Sequence, residues 1–388
     1  MTRAASFLRS IARSGIAGAG AGAEGLESTG TASLPDKILL KDQISAEAAW
    51  IEQALKQPPD VDALADLTRH ARDGLDRLDA DGEEADLSDA HLMGLEAVIR
   101  SDGTRPVAFV KGDFIDTEQP SLQASEWQFD IAAVEPNVRR LCKATGRVDD
   151  PSQKSLGYQG TAFLVGPSLV MTNRHVLRAI TREQNPDTGT LKADIVIDFA
   201  RELGQSRTDR RFPVKSILFR GLGGDGQWVQ DNGLNFDTLD LAILEIDTSA
   251  GALPAPLPLR FGKAVQYAVR GRKACVVGFP GATAGLTPDV FDRVFSGIKA
   301  FKRLAPGLIL EPAGEGAVER DPRGWIMTHD ASTLGGNSGS PILDLESGAS
   351  PLLGIHFAGM PDRRNWAHAF ERLGDVLGGI TGLNTVDG

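Results

Sequence analysis

Three short segments carry residue types that together perform chemistry none performs alone. The first is Gly160-Thr-Ala-Phe-Leu-Val-Gly-Pro-Ser-Leu-Val-Met-Thr-Asn-Arg-His175-Val. Its pattern predicts two strands in a hairpin, with His175 where the second strand ends. In the second, Asp240-Leu-Ala-Ile-Leu-Glu-Ile, an aspartate opens a strand with buried alternation. The third, Thr333-Leu-Gly-Gly-Asn-Ser338-Gly-Ser-Pro, holds a serine in a glycine-rich loop ahead of a further strand. A serine hydroxyl is a poor nucleophile until an imidazole removes its proton. A buried carboxylate then fixes the imidazole tautomer and stabilises the imidazolium. Backbone N–H groups must meet the developing oxyanion, and a glycine before the serine forms that turn without a Cβ clash. The Gly336 and Ser338 amides are the candidates. Amide hydrolysis needs all of these parts, and Asp237, three residues before Asp240, is the rival carboxylate.

The elements that must position these residues follow from patterning. From about Gly157 the chain becomes short β segments punctuated by Gly, Pro and Asp turns, at Thr161–Val165, Ser168–Met171, Asp194–Phe199, Val214–Phe219, Leu241–Ile246, Ala274–Val277 and Leu352–Phe357. Such spacing predicts an all-β barrel or sandwich. Upstream, residues 36–101 predict a small helical bundle with single apolar stripes, one on Val61, Leu64, Leu67, Ala71, Leu75 and Leu78. Residues 105–115 predict a hairpin turned at Lys111-Gly112, residues 125–143 a helix, and Trp366, Phe370, Leu373 and Leu377 a C-terminal helix. The expected organisation is a flexible leader at 1–35, a helical domain at 36–104, a hairpin and helix linker at 105–154, and the β domain at 155–382.

Composition narrows the class. The chain has 388 residues, 41 % hydrophobic and 24 % charged, enough for a core without metal or disulfide staples. No apolar run reaches the roughly 18 residues of a membrane helix. A net charge of −11 argues against a nucleic-acid partner. Residues 60–89 alone hold 11 acids against 3 arginines, a net of −8. Cys142 and Cys275 cannot form a disulfide framework, so reduced thiols and a cytoplasmic location are expected. Arg3, Arg9 and Arg13 ahead of an Ala-Gly run leave secretion as the alternative, although that run is half glycine and would insert poorly.

The order His175, Asp240, Ser338, in these contexts, resembles the chymotrypsin-like (trypsin-like) serine peptidases over about residues 155–380. The resemblance implies an all-β double barrel with a C-terminal helix, preceded here by the small helical domain. It implies a serine endopeptidase acting on protein or peptide substrates through an acyl-enzyme, with no cofactor and no metal. Residues around Ser338, with Gly354-Ile-His356-Phe-Ala-Gly359, are similar to the bacterial glutamyl-endopeptidase branch. By that similarity His356 and Thr333 line the pocket for the residue before the scissile bond, and Phe357, Ala358 and Gly359 form the strand edge that pairs with extended substrate. The expected preference is for Glu. A structural histidine and a turn threonine are the plain alternatives, as is a neutral pocket for aliphatic or aromatic residues. Asn337 departs from the aspartate of zymogen-activated relatives, and no Ile-Val-Gly-Gly-type new N-terminus is visible. Activation by an N-terminal salt bridge is therefore not expected. Some bacterial trypsin-like peptidases carry helical adaptor domains of death-fold or effector-associated type in defence or signalling cascades. Residues 36–104 are compatible with such a regulatory partner site.

A catalytically silent, peptidase-like binding module is the alternative function. Other motifs fall away on context. Gly221-Leu-Gly223-Gly-Asp-Gly226 has dinucleotide-fingerprint spacing but opens no helix, and so predicts a loop. Asp79-Ala-Asp81-Gly82 lacks the flanking ligands of a calcium loop. His70, His91, His329 and His368 show no metal spacing.

Overall fold

The computed structural model describes residues 105–386 apart from 155–156, 205–208, 224–235, 263–265, 282–298, 315–320, 348–350 and 361–363, with scattered positions between 69 and 91. The leader, most of the expected helical bundle and Gly226 lie outside the described residues.

Six antiparallel strands close the first barrel: β2 (Thr145–Asp149), β3 (Tyr158–Leu164), β4 (Leu169–Thr172), β5 (Val196–Asp198), β6 (Arg211–Phe219) and β7 (Ala242–Ile246), in the order β2-β3-β4-β7-β6-β5. β8 (Leu259–Arg260) follows, in parallel pairing with the terminal β15 (Thr385–Val386). The second barrel comprises β9 (Lys273–Gly278), β10 (Arg303–Glu311), β11 (Ile326–His329), β12 (Pro341–Asp344), β13 (Leu352–Met360) and β14 (Arg364–Ala369). It runs β10-β11-β14-β13-β12-β9 and closes through β9–β10 pairing. This is the expected double barrel. Closure removes sheet edges, and the apolar inward faces of both barrels form the core.

All seven segments expected to be strands are strands or contain one. Other expectations need correction. Trp366 lies in β14, and the C-terminal helix is short, a 3-10 turn at Phe370–Arg372 followed by one α turn at Gly374–Leu377. The 125–143 helix is two helices, Trp127–Ala133 and Glu135–Ala144, broken at Val134. Pro136 lacks an N–H and its ring would clash with the carbonyl four residues earlier, so the first helix cannot run through it and a second starts with Pro in its first turn. Near Lys111-Gly112 the Lys111 N–H donates to Phe114 O at 2.7 Å, and Val110 bridges Ile115, so the hairpin forms. Gly221 (φ 67°) through Gly223 lie outside any helix. Cys142 and Cys275 are unlinked and fully buried, and burial pushes the Cys142 thiol up to about 12.

Residues 105–119 seam the two barrels together. β1 (Ala108–Phe109) adds a strand beside the start of β10. Behind it Lys302, wholly buried, donates from Nζ to Cys142 O at 2.7 Å, Phe199 O at 2.9 Å and Glu202 Oε1 at 3.2 Å. The other Glu202 oxygen accepts the Asp113 N–H at 3.0 Å. Three ammonium protons meet three acceptors drawn from the linker helix, the first barrel and its exit loop. Removing one member of a buried charged pair costs about 3–5 kcal/mol because the other is left uncompensated. Lys302→Ala should therefore lower unfolding free energy by about that amount in guanidinium titrations, and Lys302→Met with Glu202→Gln should cost less. A change within error for Lys302→Ala would remove this seam from the stability account.

Candidate active site

Antiparallel register brings His175 and Asp240 together. Thr172 at the end of β4 pairs with Ala242 at the start of β7. Three residues past Thr172 and two before Ala242 therefore leave the barrel at the same end. His175 is the second residue of a six-residue helix, Arg174–Ala179, and Asp240 lies two residues before the start of β7. The Asn173 side-chain amide donates to Asp240 O at 2.7 Å, and the His175 backbone N–H donates to Asp240 Oδ1 at 2.8 Å. The other carboxylate oxygen takes His175 Nδ1–H at 2.6 Å. Between the two candidate acids the geometry selects Asp240. Asp237 accepts instead from Arg323 at 2.9 Å.

The Asp240–His175 contact sets both protonation states. Burial alone would lower the His175 pKa, but the charge and hydrogen bond of Asp240 outweigh it and the imidazole titrates above its ordinary value. Burial alone would raise Asp240, but the same pairing and the His175 amide hold it below the usual carboxylate range. His368 completes the carboxylate's surroundings by accepting the Asp240 N–H on Nε2 at 3.0 Å. Only a neutral ring can accept there. Complete burial brings His368 to about 4, so it remains neutral at ordinary pH.

Ser338 comes from the second barrel, between β11 and β12, and Thr161 of β3 anchors its loop. The Thr161 N–H donates to Ser338 O at 2.8 Å, and its hydroxyl donates to Gly336 O at 2.8 Å while accepting the Phe279 N–H at 3.2 Å. A Cβ on Gly160 would lie 2.8 Å from the Val176 side chain and 2.9 Å from Ser338 O. The residue after His175 thus lies across one strand from the serine loop. Gly336 has φ 102°, and a Cβ there would strike Phe279 O and lie 2.7 Å from the Tyr158 hydroxyl, so only glycine fits. The Asn337 N–H is bonded to Leu334 O at 3.0 Å. Among the described residues the flanking N–H groups of Gly336 and Ser338 have no partner. Two free amides about a serine are suited to receive a developing oxyanion.

The remaining expected residues gather beyond Ser338. β12 pairs with β13 only as far as Pro341↔Ile355, while β14 pairs with β13 through Met360. Residues Phe357–Gly359 therefore keep one backbone edge without a strand partner among the described residues. His356 is buried, its Nδ1 3.2 Å from His329 Nε2. Thr333 differs from expectation in one respect. Its hydroxyl donates to Asn365 Oδ1 at 2.6 Å, and Asn365 in turn donates to Ala331 O at 2.8 Å. Thr333 is thus a braced wall whose proton is already committed. Sequence reasoning missed Asn365, His368, Thr161 and the Arg105–Asp330 pair, in which the guanidinium grips both carboxylate oxygens at 3.1 and 2.6 Å. Only Thr161 had a local signal, as the first residue of an expected strand, Thr161–Val165.

A double barrel with an Asp-bonded imidazole on one half and a glycine-flanked serine loop on the other has the parts of a chymotrypsin-like hydrolase site. The trypsin-like peptidase domain model matches residues 160–355, and the chain belongs to that family of serine endopeptidases. A probable serine protease of Lysobacter enzymogenes is 30 % identical over 354 residues, spanning 85 % of this chain and 87 % of that protein. Among solved structures, the Rv3671c protease from M. tuberculosis in its active form is 22 % identical, over 66 % of this chain and 88 % of that one, with a TM-score of 0.36. Human heparin binding protein is 14 % identical, over 62 % and 92 %, with a TM-score of 0.40.

Removing the Thr161 hydroxyl should loosen the amide-bearing loop without unfolding the barrels. A net hydrogen bond is worth about 0.5–1.5 kcal/mol, or roughly two- to tenfold in rate if lost from the transition state. Thr161→Val should lower kcat by about that factor at near-constant KM, with Thr161→Ser recovering it. A KM effect alone would place Thr161 in substrate binding instead.

Proposed function

We propose that this endopeptidase works through Ser338 as nucleophile, His175 as general base and then acid, and Asp240 as the orienting carboxylate. The observation that carries the proposal is the 2.6 Å Asp240–His175 contact, together with a Ser338 loop that Thr161 ties to the strand pairing with β4. Ser338 Oγ attacks the scissile carbonyl carbon as its proton passes to His175 Nε2. The carbonyl oxygen becomes an anion facing the Gly336 and Ser338 N–H groups. Collapse breaks the C–N bond, and the amine leaves with the proton from His175. Water then repeats the sequence on the acyl ester and frees Ser338.

Ser338→Ala should reduce kcat by at least about 10⁴-fold and abolish fluorophosphonate labelling. Because Asp240 holds the His175 pKa up, the protonated, inactive imidazole persists to higher pH than for an isolated histidine. The acidic limb of kcat/KM should therefore have its midpoint above 6.5, and Asp240→Asn should move it down while lowering kcat. A Ser338→Ala enzyme with unchanged cleavage would exclude the assignment, and labelling absent from the wild type would favour the silent binding module.

We further propose that the residue before the scissile bond is preferentially Glu, received by His356. Two tautomer arrangements satisfy the His329–His356 contact. If His356 donated, His329 Nδ1, buried without a partner, would be an orphaned N–H. If His329 donates, Nδ1 is only an unused lone pair, the cheaper alternative, and His356 Nε2 carries a proton. Among the described residues that Nε2 has no partner, so it is available to a carboxylate. Burial, with His329 and His175 nearby, keeps the His356 pKa well below its ordinary value. The donor is therefore neutral in the free enzyme. A hydrogen bond to a charged group is worth about 1.5–3 kcal/mol. His356→Ala should cut cleavage after Glu about tenfold or more relative to cleavage after Gln. The wild-type Glu/Gln ratio should stay flat from about pH 6.5 upward, since the free-enzyme imidazole has already lost its proton there. Equal losses for both substrates, or a wild-type preference for Leu or Phe, would exclude this pocket reading.

A further inference from the structure

On the other side of His175 lies a cavity of about 450 Å³, walled by β3, the His175 helix and the loops beside them. His175, Val176, Arg178, Gln159 and Lys192 line it, whereas Asp240, His368 and Phe357 do not. It therefore opens on the flank of the imidazole toward β3, away from the Phe357–Gly359 edge and the His356 pocket. The leaving amine takes its proton from His175, so the residue joined to that amine must lie against the imidazole. The Val176 wall sits across Gly160 from Ser338 O, which places the cavity beside the serine loop.

Its charge is uneven. Lys192 Nζ binds Asp150 Oδ2 at 2.9 Å, and the Gln159 amide donates to the same oxygen at 2.6 Å. Ser152 Oγ donates to Asp150 Oδ1 at 2.6 Å. The Asp150 side chain is completely buried, so this base is a fixed structure and its carboxylate is fully committed. Glu183, beside Gln184 on the rim, has its oxygens occupied by the Thr190 N–H and hydroxyl. Arg178, one helical turn after His175, is exposed and has no carboxylate partner among the described residues. The cavity thus presents one uncompensated guanidinium over a neutralised floor.

We propose that this cavity is the subsite for the residue immediately after the scissile bond (P1′), and that it selects Asp or Glu there through Arg178. The proposal rests on the endopeptidase assignment but not on any preference at P1. A guanidinium grips a carboxylate through paired N–H donors, and the preference belongs to the leaving side of the substrate.

The test is cleavage-site profiling of the full-length chain with a peptide library, followed by matched peptides carrying Glu, Gln or Lys at P1′. Enrichment of Asp and Glu at P1′ is expected. A solvent-accessible ion pair is worth up to about 1 kcal/mol, so the Glu/Gln ratio of kcat/KM should be about fivefold. It should fall toward 1 in Arg178→Gln and favour Lys in Arg178→Glu. Raising salt from ~0.05 to ~0.5 M should compress the wild-type ratio, because screening shortens the reach of an exposed pair. Enrichment absent, or confined to P2′, or a ratio unchanged in Arg178→Gln would overturn the subsite. Binding of a leaving-side peptide beginning with Glu or Gln to Ser338→Ala protein, read by fluorescence anisotropy, separates the two claims. Preference for the Glu peptide without wild-type turnover would sink the nucleophile assignment and leave the subsite standing. Turnover with neither preference would do the reverse.

Discussion

His175 belongs to one barrel and Ser338 to the other, so the whole site depends on how the barrels are held in register. Thr161 carries much of that constraint. Its amide and hydroxyl hold two carbonyls of the serine loop at 2.8 Å each, from a strand that pairs directly with β4, the strand leading to His175. A shift of one residue in β3 would exchange the inward and outward faces and withdraw both bonds together. Glycines at 336 and 339, with φ 102° and 90°, make the loop compact enough to reach this anchor. The buried Lys302 cluster lies close by, its ammonium 6.0 Å from the ring of Phe279, whose amide donates to the Thr161 hydroxyl.

Within that frame the electrostatics are arranged by pairing rather than exposure. Asp240 is kept ionised by donors on every side, and its charge holds His175 above its ordinary pKa. His368 bonds the Asp240 amide, His356 lies near His175, and His329 contacts His356; all three are neutral because they are buried. His368 and His329 both sit near 4, and His356 lies well below its ordinary value. Neutrality lets His368 accept the Asp240 amide and leaves the ionised carboxylate without a competing imidazolium. Phe357 stacks on His368 with centroids 4.5 Å apart and rings 18° from parallel, closing that side to water. The unpaired edge of β13 and the support for Asp240 therefore share one aromatic contact.

The chemistry-bearing loops were legible because their signals are local. A histidine at a strand end, an aspartate at a strand start and a serine among glycines each lie within a few residues of a turn. What stayed hidden depends on distant partners. β10 contains Pro306-Gly307, which reads as a turn, yet Gly307 is required because a Cβ would lie 2.5 Å from the Ala331 amide. β14 shows no alternation because Trp366 through Ala369 are all buried, and the spacing of Trp366, Phe370, Leu373 and Leu377 imitates a helix. Asn365 reads as an ordinary loop residue until the fold brings Thr333 and Ala331 to it. Arg105 and Asp330 are 225 residues apart, and no pattern links them.

That distant pair bears directly on specificity. Asp330 begins the segment from which the sequence leads one to expect the pocket for the residue before the scissile bond, where a free carboxylate would attract Arg or Lys. Neither oxygen is free. Oδ1 accepts from Arg105 Nε and from the Leu308 amide at 2.7 Å, and Oδ2 accepts from Arg105 Nη2. Ser332, where a basic-specific pocket would need its acid, donates its hydroxyl to Arg105 O at 3.2 Å. A basic side chain brought to this carboxylate would find no free counter-charge, because Arg105 already holds both oxygens. That arginine comes from the chain just ahead of the barrels. The 85 % span shared with the Lysobacter protein necessarily extends into residues before 105, so part of the preceding chain accompanies the peptidase domain in both proteins. In this architecture the segment entering the first barrel also braces Asp330 and Ser332 of the second.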